Sequence, residues 1–599
     1  MKIPFKINIH RIINVSKVLL FSFLLFFSCL SFGNENKNLD LKLKILNEKD
    51  VKLYRQIFDF QSKSIKSKNS KTWSKINILK KNITNKLLFG TIEAEKYLHP
   101  TGWRSTYKEL KKWLDNYNDH PDAYRIYRLA KRRKPKNSKY PKKPIGNFLN
   151  GYGNILKDQL KPTFPIFSKG HKYPKSAFQT AVKVRRGIRK TNTKYVENLL
   201  ISKKTKKYLT DLEMSQLRAE LAHAYFIFKK DQESIRQSRI SINLSGSQNA
   251  LAFWSGGLAS WRFGDYKLAK WFFNNLSELT SGPESILSGG NFWSAKLAYH
   301  MGETKEINKY LKKAANYERT FYSTLAKASL GYKDNFNFNL EPIDEKFVNK
   351  LKSLPGGKRV LGLLQVSEYH KASREFRKII FNFKISEYSQ IVSFAAKYNM
   401  PGLAFRISAL LRNDHGKILL GGLYPLPKWK TDRFKIKDNA LLYSISRQES
   451  GFNPRAKSYA NALGVMQVLP STAAFIMKDK FYRYRSKKHL LYNLNNNLKI
   501  GAKYIDFLLG LDLINNNVLK MLASYNAGPG NFKKWSKKAH YKEKDPLLMI
   551  ESLPARQTRN YIKLVLTNLW IYRSRLNEDP YIIPALASGE NNNLKMRRR

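Results

Sequence analysis

The chain has 599 residues, one cysteine and a formal charge of +66, and hydrophobic residues make up 42% of it. It is too apolar to be disordered and long enough for several domains, and a single cysteine excludes an internal disulfide or a cysteine-built zinc site. The charge favours polyanionic partners, nucleic acid or an anionic wall polymer, but the lysines are spread along the whole length among many Asn, Ile and Tyr rather than gathered in a patch.

Residues 1–33 read as a secretory signal. Lys2, Lys6, Arg11 and Lys17 form a positive start without acids, and Val18–Phe27 is an apolar run too short to span a membrane comfortably. Ser31-Phe32-Gly33 supplies small residues before a cleavage site, which leaves Asn34 as the first mature residue. Lipidation at Cys29 is the rival reading and would associate the protein with an outer membrane. Either way the chain is expected beyond a bacterial inner membrane, in the periplasm, which weighs against nucleic acid as its partner.

Residues 34–420 read as helix after helix, with no convincing alternating strand and no Asn-Gly hairpin signal. Leu212–Phe228 is one apolar-periodic segment. Ala252–Leu276 is another, carrying Trp254, Trp261, Phe272 and Phe273 around a turn at Gly264-Asp265. A similar unit follows, with Trp293, Ala298 and a turn at Gly302-Glu303, and a weaker third turn falls at Leu330-Gly331-Tyr332. Helix pairs recurring in this way predict a solenoid in which each pair buries its face on the next, with the tryptophans in the core. Residues 421–437, opening Gly-Gly-Leu-Tyr-Pro-Leu-Pro, read as a linker.

The next region, 438–575, carries the chemistry. Asp438 is the expected N-cap of a helix whose Leu441, Leu442 and Ile445 share one face. Glu449 lies on that face at the last turn, before Gly451 and Pro454 stop the helix. Burial there raises the pKa of a carboxylic acid, so that it holds a transferable proton near neutral pH. A loop of small residues follows, in which Gly464 permits close backbone approach and Gln467 offers donor and acceptor to a sugar. Leu494–Leu509 reads as a helix with Asn497 a candidate N-cap and Leu498, Ile505 and Leu509 inward. Val518, Leu522 and Tyr525 form a stripe ending at Asn526-Ala527-Gly528-Pro529, so Tyr525 and Asn526 project from a helix end.

These motifs resemble one family. Glu449-Ser450 with Asn453-Pro454, then Ala462, Gly464, Met466-Gln467, Pro470 and Thr472-Ala473, are similar to the catalytic domain of the soluble lytic transglycosylases, lysozyme-like enzymes that cut peptidoglycan. Ala523-Ser524-Tyr525-Asn526-Ala527-Gly528-Pro529-Gly530 resembles a further motif of that family. Glu551-Ser552-Leu553-Pro554 with Thr558-Arg559 and Tyr561 resembles its closing helix. Asn461, Leu469 and Gln557 depart from the usual Gly, Met and Glu.

The resemblance implies an all-α protein: a U- or ring-shaped superhelix followed by a lysozyme-like domain. Residues 576–599 read as a disordered tail. It also implies cleavage of the β-1,4 bond between N-acetylmuramic acid and N-acetylglucosamine by a single acid. The muramic 6-hydroxyl attacks, a 1,6-anhydro end forms, and Glu449 serves as acid and then base. Ser450, Gly464, Met466, Gln467, Tyr525 and Asn526 are the implied substrate-binding residues. No metal or cofactor is expected, and a monomer acting on peptidoglycan strands is. A hydrolytic muramidase sharing every motif, or a wall-binding scaffold without activity, stays open at this point.

Overall fold

The computed structural model describes residues 43–64, 70–99, 102–151, 174–332, 335–431, 434, 438–537, 545–590 and 594–597. The signal region with Cys29 lies outside them. Among the described residues the secondary structure is helical, broken only by isolated bridges such as Leu463 to Val468. No helix among them is long and apolar enough to cross a membrane.

The chain forms two compact units, one of the residues up to Asn150 with Glu341–Leu403, the other of Gly151–Leu340 with Ala404–Arg599. The region expected to be a single superhelix over 34–420 is therefore divided between them, and 151–340 shares a unit with the domain that carries Glu449. In the first unit, the helix Tyr107–Tyr117 opens on a Thr106–Glu109 capping box and buries Leu110, Trp113 and Leu114. In the same unit the buried Arg359 pairs with the buried Glu375 on one side and the half-exposed Asp119 on the other.

The second unit begins with helix pairs, as the spacing predicts. Asp211–Ile227 precedes Asp231–Leu244, Ala250–Phe263 precedes Tyr266–Ser277, and Glu284–His300 precedes Thr304–Ala315. Gly264 sits at φ +90° and Gly302 at φ +74°, backbone conformations that end the first helix of a pair where an L side chain would be strained. Asp265 then caps the next helix by accepting from Leu268 N–H. Trp254 and Trp293 are buried, as expected, and Phe273 stacks on Trp293 at 5.6 Å. The third predicted turn ends the helix Phe321–Ser329, but no partner helix follows it: residues 335–344 are irregular.

Two sequence expectations fail here. The described part of 421–437 is no free linker. Tyr424 is buried, and the carbonyls of Pro425 and Pro427 accept from Tyr572 Oη (3.2 Å) and Tyr443 Oη (2.9 Å). Nor is the tail disordered over its described residues. Ile582–Ser588 is a helix that buries Ile582, Ile583 and Leu586, and Leu594 and Met596 are buried beyond it. Asn516 Nδ2 donates to the Met596 carbonyl (2.8 Å), and Met596 N–H donates to the Asn516 carbonyl (2.9 Å). Apolar residues spaced through a short polar tail are weak evidence in sequence, and they order only because a groove receives them.

Candidate active site

The helix that carries the acid runs Asn439–Ser450. Asp438 caps it, accepting from Leu441 N–H at 2.9 Å, and Gly451 ends it at φ +55°. Leu441, Leu442 and Ile445 are buried on one face, which fixes the helix rotation. Arg447 on the same helix is also buried: Nε donates to the Leu423 carbonyl (2.9 Å), Nη1 to Asn568 Oδ1 (2.7 Å), and the guanidinium lies over the Tyr424 ring at 4.2 Å. The helix is thereby clamped between the upstream segment and the long helix Arg556–Arg575.

Glu449 stands at the last turn, half-buried. Burial pushes its carboxyl up to about 7, and the neighbouring Tyr561 hydroxyl offsets part of that rise. Burial and the Glu449 charge in turn hold the phenols of Tyr561 and Tyr525 well above their ordinary value, so both stay protonated and able to donate. The rings of Tyr525 and Tyr561 lie parallel with centroids 6.5 Å apart, and Tyr504 packs on Tyr525 at 5.4 Å. The carboxyl therefore lies beside Tyr561 and Tyr525, with Tyr504 packed behind Tyr525. Among the described residues no second carboxylate shifts its protonation. The sequence motif contains Tyr561 but nothing that announces this pairing, since Tyr561 and Glu449 meet only through the packing of two distant helices.

The loop after the helix is ordered by its own hydrogen bonds. Leu463 and Val468 exchange N–H and carbonyl at 3.0 Å each way, closing a turn over Gly464, Val465, Met466 and Gln467. Gln467 sits at φ +49°, a left-handed conformation that a non-glycine residue holds only when its surroundings impose it. Its Nε2 donates to the Gly464 carbonyl (2.7 Å), which leaves Oε1 as an acceptor. Asn497 lies beneath the turn, fully buried. Its Oδ1 accepts from Met466 N–H (2.8 Å), and its Nδ2 donates to the carbonyls of Leu463 and Leu491 (2.9 Å each). Asn497 is thus not the N-cap expected from sequence. Asn493 is, accepting from Asn496 N–H. Asn497 instead replaces the backbone partners that a tight turn lacks, a role with no local signature.

The site residues read from the sequence separate into two groups. Glu449, Tyr525 and Tyr561 come together, and Gln467 and Asn526 are half-buried. Asn526 Oδ1 accepts from Thr558 Oγ1 (2.8 Å), which leaves its Nδ2 as a donor. Ser450, Gly464 and Met466 belong to the frame instead. Ser450 is buried and its hydroxyl donates to the Val465 carbonyl at 2.7 Å, tying the helix end to the turn. Gly464, at φ +81°, is close to protein and not to open space: a Cβ there would lie 2.3 Å from Asn497 Nδ2. The Met466 side chain is buried against Gly501, and its carbonyl accepts from Tyr525 Oη at 2.9 Å.

The closing segment is anchored from the helix pairs. Glu551, 2% exposed, accepts from Tyr322 Oη (2.7 Å) and Lys563 Nζ (2.9 Å), and Trp293 Nε1 donates to Tyr322 Oη (3.2 Å). Arg559 Nη2 meets His223 Nε2 at 3.1 Å. Burial and the nearby Arg559, Arg556 and Lys563 keep His223 neutral, so its Nε2 accepts. Glu551 thereby serves structure and lies outside the Glu449 site.

Residues 428–548 match the model of the transglycosylase SLT domain, and the chain carries a domain of that family. It is 26% identical over 306 residues to the soluble lytic murein transglycosylase of Escherichia coli strain K12, covering 50% of this chain and 45% of that protein. With a putative soluble lytic murein transglycosylase of Haemophilus influenzae Rd it shares 28% identity over 369 residues, 58% of this chain and 55% of the relative. The chain thus spans about half the length of these curated relatives. Among solved structures it resembles an inactive mutant of the lytic transglycosylase Slt from Pseudomonas aeruginosa, with a TM-score of 0.51 and 20% identity, covering 82% of this chain and 76% of that one. It also resembles a 70-kDa soluble lytic transglycosylase in complex with bulgecin A, with a TM-score of 0.51 and 16% identity over 90% of this chain and 98% of that one. At these identities the likeness is one of fold, which is helical over the described residues of this chain.

Proposed function

We propose that this chain is a lytic transglycosylase that cleaves peptidoglycan strands between N-acetylmuramic acid and N-acetylglucosamine, leaving 1,6-anhydro-muramic ends. The observation that carries the reading is the placement of Glu449, at the last turn of a buried helix beside the protonated Tyr561 and Tyr525, where burial raises its carboxyl to about 7. Glycosidic cleavage needs a proton for the leaving oxygen and a nucleophile for the anomeric carbon. Glu449, protonated, gives its proton to the glycosidic oxygen as that bond breaks. The 6-hydroxyl of the muramic residue closes on the anomeric carbon, and Glu449, now a carboxylate, takes the hydroxyl proton. Acid and base are one group used twice, which suits a value close to neutrality. An attacking group already tethered to the reacting ring supplies an effective molarity of about 10⁵ M or more.

The other residues act around this step. Tyr561 steadies the carboxylate when the proton has left. Gln467 Oε1 and Asn526 Nδ2 offer an acceptor and a donor to the hydroxyl and acetamido groups of the strand. Ser450, Gly464 and Met466 act by shaping the turn. Residues 1–33 would direct the chain to the periplasm, where its substrate lies, and the helix pairs would support the domain at 438–575.

The test is the mass of the products released from purified sacculi by the wild-type protein and by Glu449→Gln. Anhydro-muropeptides from the wild type and essentially none from the variant are expected. Products one water heavier would make the protein a hydrolytic muramidase. Binding of sacculi without release would make it a scaffold, and near-wild-type release by Glu449→Gln would remove the acid from the mechanism.

A further inference from the structure

We propose that the outer face of the helix Lys175–Arg189 is a docking surface for an anionic phospholipid bilayer, which holds the protein at a membrane. The inference is independent of the chemistry at Glu449. The helix is built inside out. It buries Ala177, Thr180, Ala181, Val184 and Gly187, small residues for the most part, and leaves Phe178 55% and Val182 37% exposed. An ordinary amphipathic helix turns its largest apolar side chains to the core. Lys175, Phe178, Val182, Arg186 and Arg189 follow one another at intervals of three and four, so they share a face, and every one of them is exposed. The helix contains no acid. Of its cations only Arg185 has a carboxylate partner among the described residues, Glu220 at 2.7 Å.

The support is firm. A core that includes Ala181, Val184, Val196, Leu200 and Leu217 holds this helix to Thr193–Ile201 and Asp211–Ile227. The packing is close: a Cβ on Gly187 would lie 2.4 Å from the Val196 side chain. The neighbouring helices extend the same character. Tyr195 and Ile201 are exposed, and the short helix Lys203–Tyr208 sets Lys203, Lys204, Lys206 and Lys207 in solvent with no acid among them. Single exposed apolar residues need no explanation, and this chain is basic throughout. The combination selects the occupant. Two apolar side chains in the middle of a face, with cations before and after them, suit a bilayer boundary. The ring and methyls leave water there, while the Lys and Arg stems reach back to the phosphates. A dissolved polyanion would satisfy the cations and leave Phe178 and Val182 wet. Each Lys or Arg close to an anionic membrane changes partitioning about fivefold.

The experiment uses the chain from Asn34 onward, which has neither the signal region nor Cys29 to hold it to lipid. Sedimentation with vesicles is expected for phosphatidylcholine mixed with phosphatidylglycerol and not for phosphatidylcholine alone. Arg186→Gln with Arg189→Gln should weaken partitioning about thirtyfold, and Phe178→Ser about tenfold. Lys131→Gln with Arg132→Gln removes the same charge in the other unit and should change it less than about twofold. All of these side chains are exposed, so the melting temperatures should stay those of the parent. Phe178→Cys then supplies the only thiol, and a fluorophore attached there should shift to the blue and be quenched by brominated lipid in the mixed vesicles. The same label at Tyr299→Cys, on another helix, should do neither. Equal loss in the charge variant and its control would trace the binding to the charge of the whole chain and overturn the proposal. A label at position 178 that stays in water while polyphosphate binds as tightly as the vesicles would make the face a polyanion site and also overturn it. A parent protein that does not sediment with the mixed vesicles would end it outright.

Discussion

Tyr525 Oη donates a 2.9 Å hydrogen bond to the carbonyl of Met466. Through it the helix Val518–Ala527 grips the turn that carries Gln467. The same tyrosine stacks on Tyr561, which meets Glu449, so one ring touches the acid's environment and its neighbouring turn together. Removing the hydroxyl with Tyr525→Phe leaves the buried Met466 carbonyl without its partner. We expect a loss of about 1–2 kcal/mol in denaturant unfolding and a larger proportional fall in activity, since the turn loosens where substrate is held.

Protonation of Glu449 sets the pH dependence. Its folded value, about 7, lies above the ordinary 4.5, so the folded state favours the neutral carboxyl. The stability linked to that preference is intact below about 4.5 and is lost as pH rises through about 7. Glu449→Gln is permanently neutral. It should match the wild-type stability at pH 4.5 and exceed it at pH 8, by on the order of 1–2 kcal/mol after allowance for partial exposure. Melting curves at the two pH values check this.

Activity should follow the same group. The proton donor is needed at the start of the reaction, so kcat/KM falls as pH rises past about 7. The Tyr561 hydroxyl lowers the acid's value. In Tyr561→Phe the fall should therefore move to higher pH while the maximum rate drops. A pH–rate profile separates this shift from simple damage, which would lower the profile without moving it.

Asn497 should be the most sensitive position beneath the turn. Asn497→Ala strands the Met466 N–H and the Leu491 carbonyl in a buried setting and takes one of two donors from the Leu463 carbonyl, and a loss of roughly 2–4 kcal/mol is expected in chemical denaturation. Gly464→Ala should be comparably severe, because its Cβ would overlap Asn497 Nδ2. Gln467→Gly is expected to behave differently. It relieves a left-handed residue but loses a side-chain hydrogen bond, so stability should stay within about 1 kcal/mol while strand cleavage falls sharply.

Tyr322 tests the support from the helix pairs. Tyr322→Phe removes a donor from the buried Glu551 and an acceptor from Trp293, and about 2 kcal/mol of stability should go with it. The pH profile should keep its shape, because Glu551 lies outside the Glu449 site. Calorimetry and a pH–rate measurement on the same variant check both halves.

Much of the site was legible in the sequence. Helical spacing placed Glu449 at the end of an apolar stripe, Asp438 at the cap and Gly451 at the stop, because caps and periodicity are properties of a few neighbouring residues. The helix pairs were readable for the same reason, down to the turns at Gly264 and Gly302, which the structure shows to be left-handed. Roles that depend on residues far apart in the chain were not. Gly464 and Ser450 have the identities expected of a ligand site, yet their neighbours are Asn497 and Val465, and so they build the frame. Asn497 looked like a cap because an asparagine near a helix start usually is one, and only the fold put three backbone groups around it.

Local pattern alone was enough to single out Glu449 as the proposed acid and to mark the helix that bears it, since a helix end and a buried face are written in a few neighbouring residues. The tertiary structure decided what that acid experiences. Its raised value arises from burial in the folded chain, offset in part by Tyr561 on the distant helix Arg556–Arg575. Desolvation is a sum over everything nearby in space, and no window of neighbouring residues contains it. The same reason governs the tail, whose few apolar residues become ordered only once a folded surface receives them.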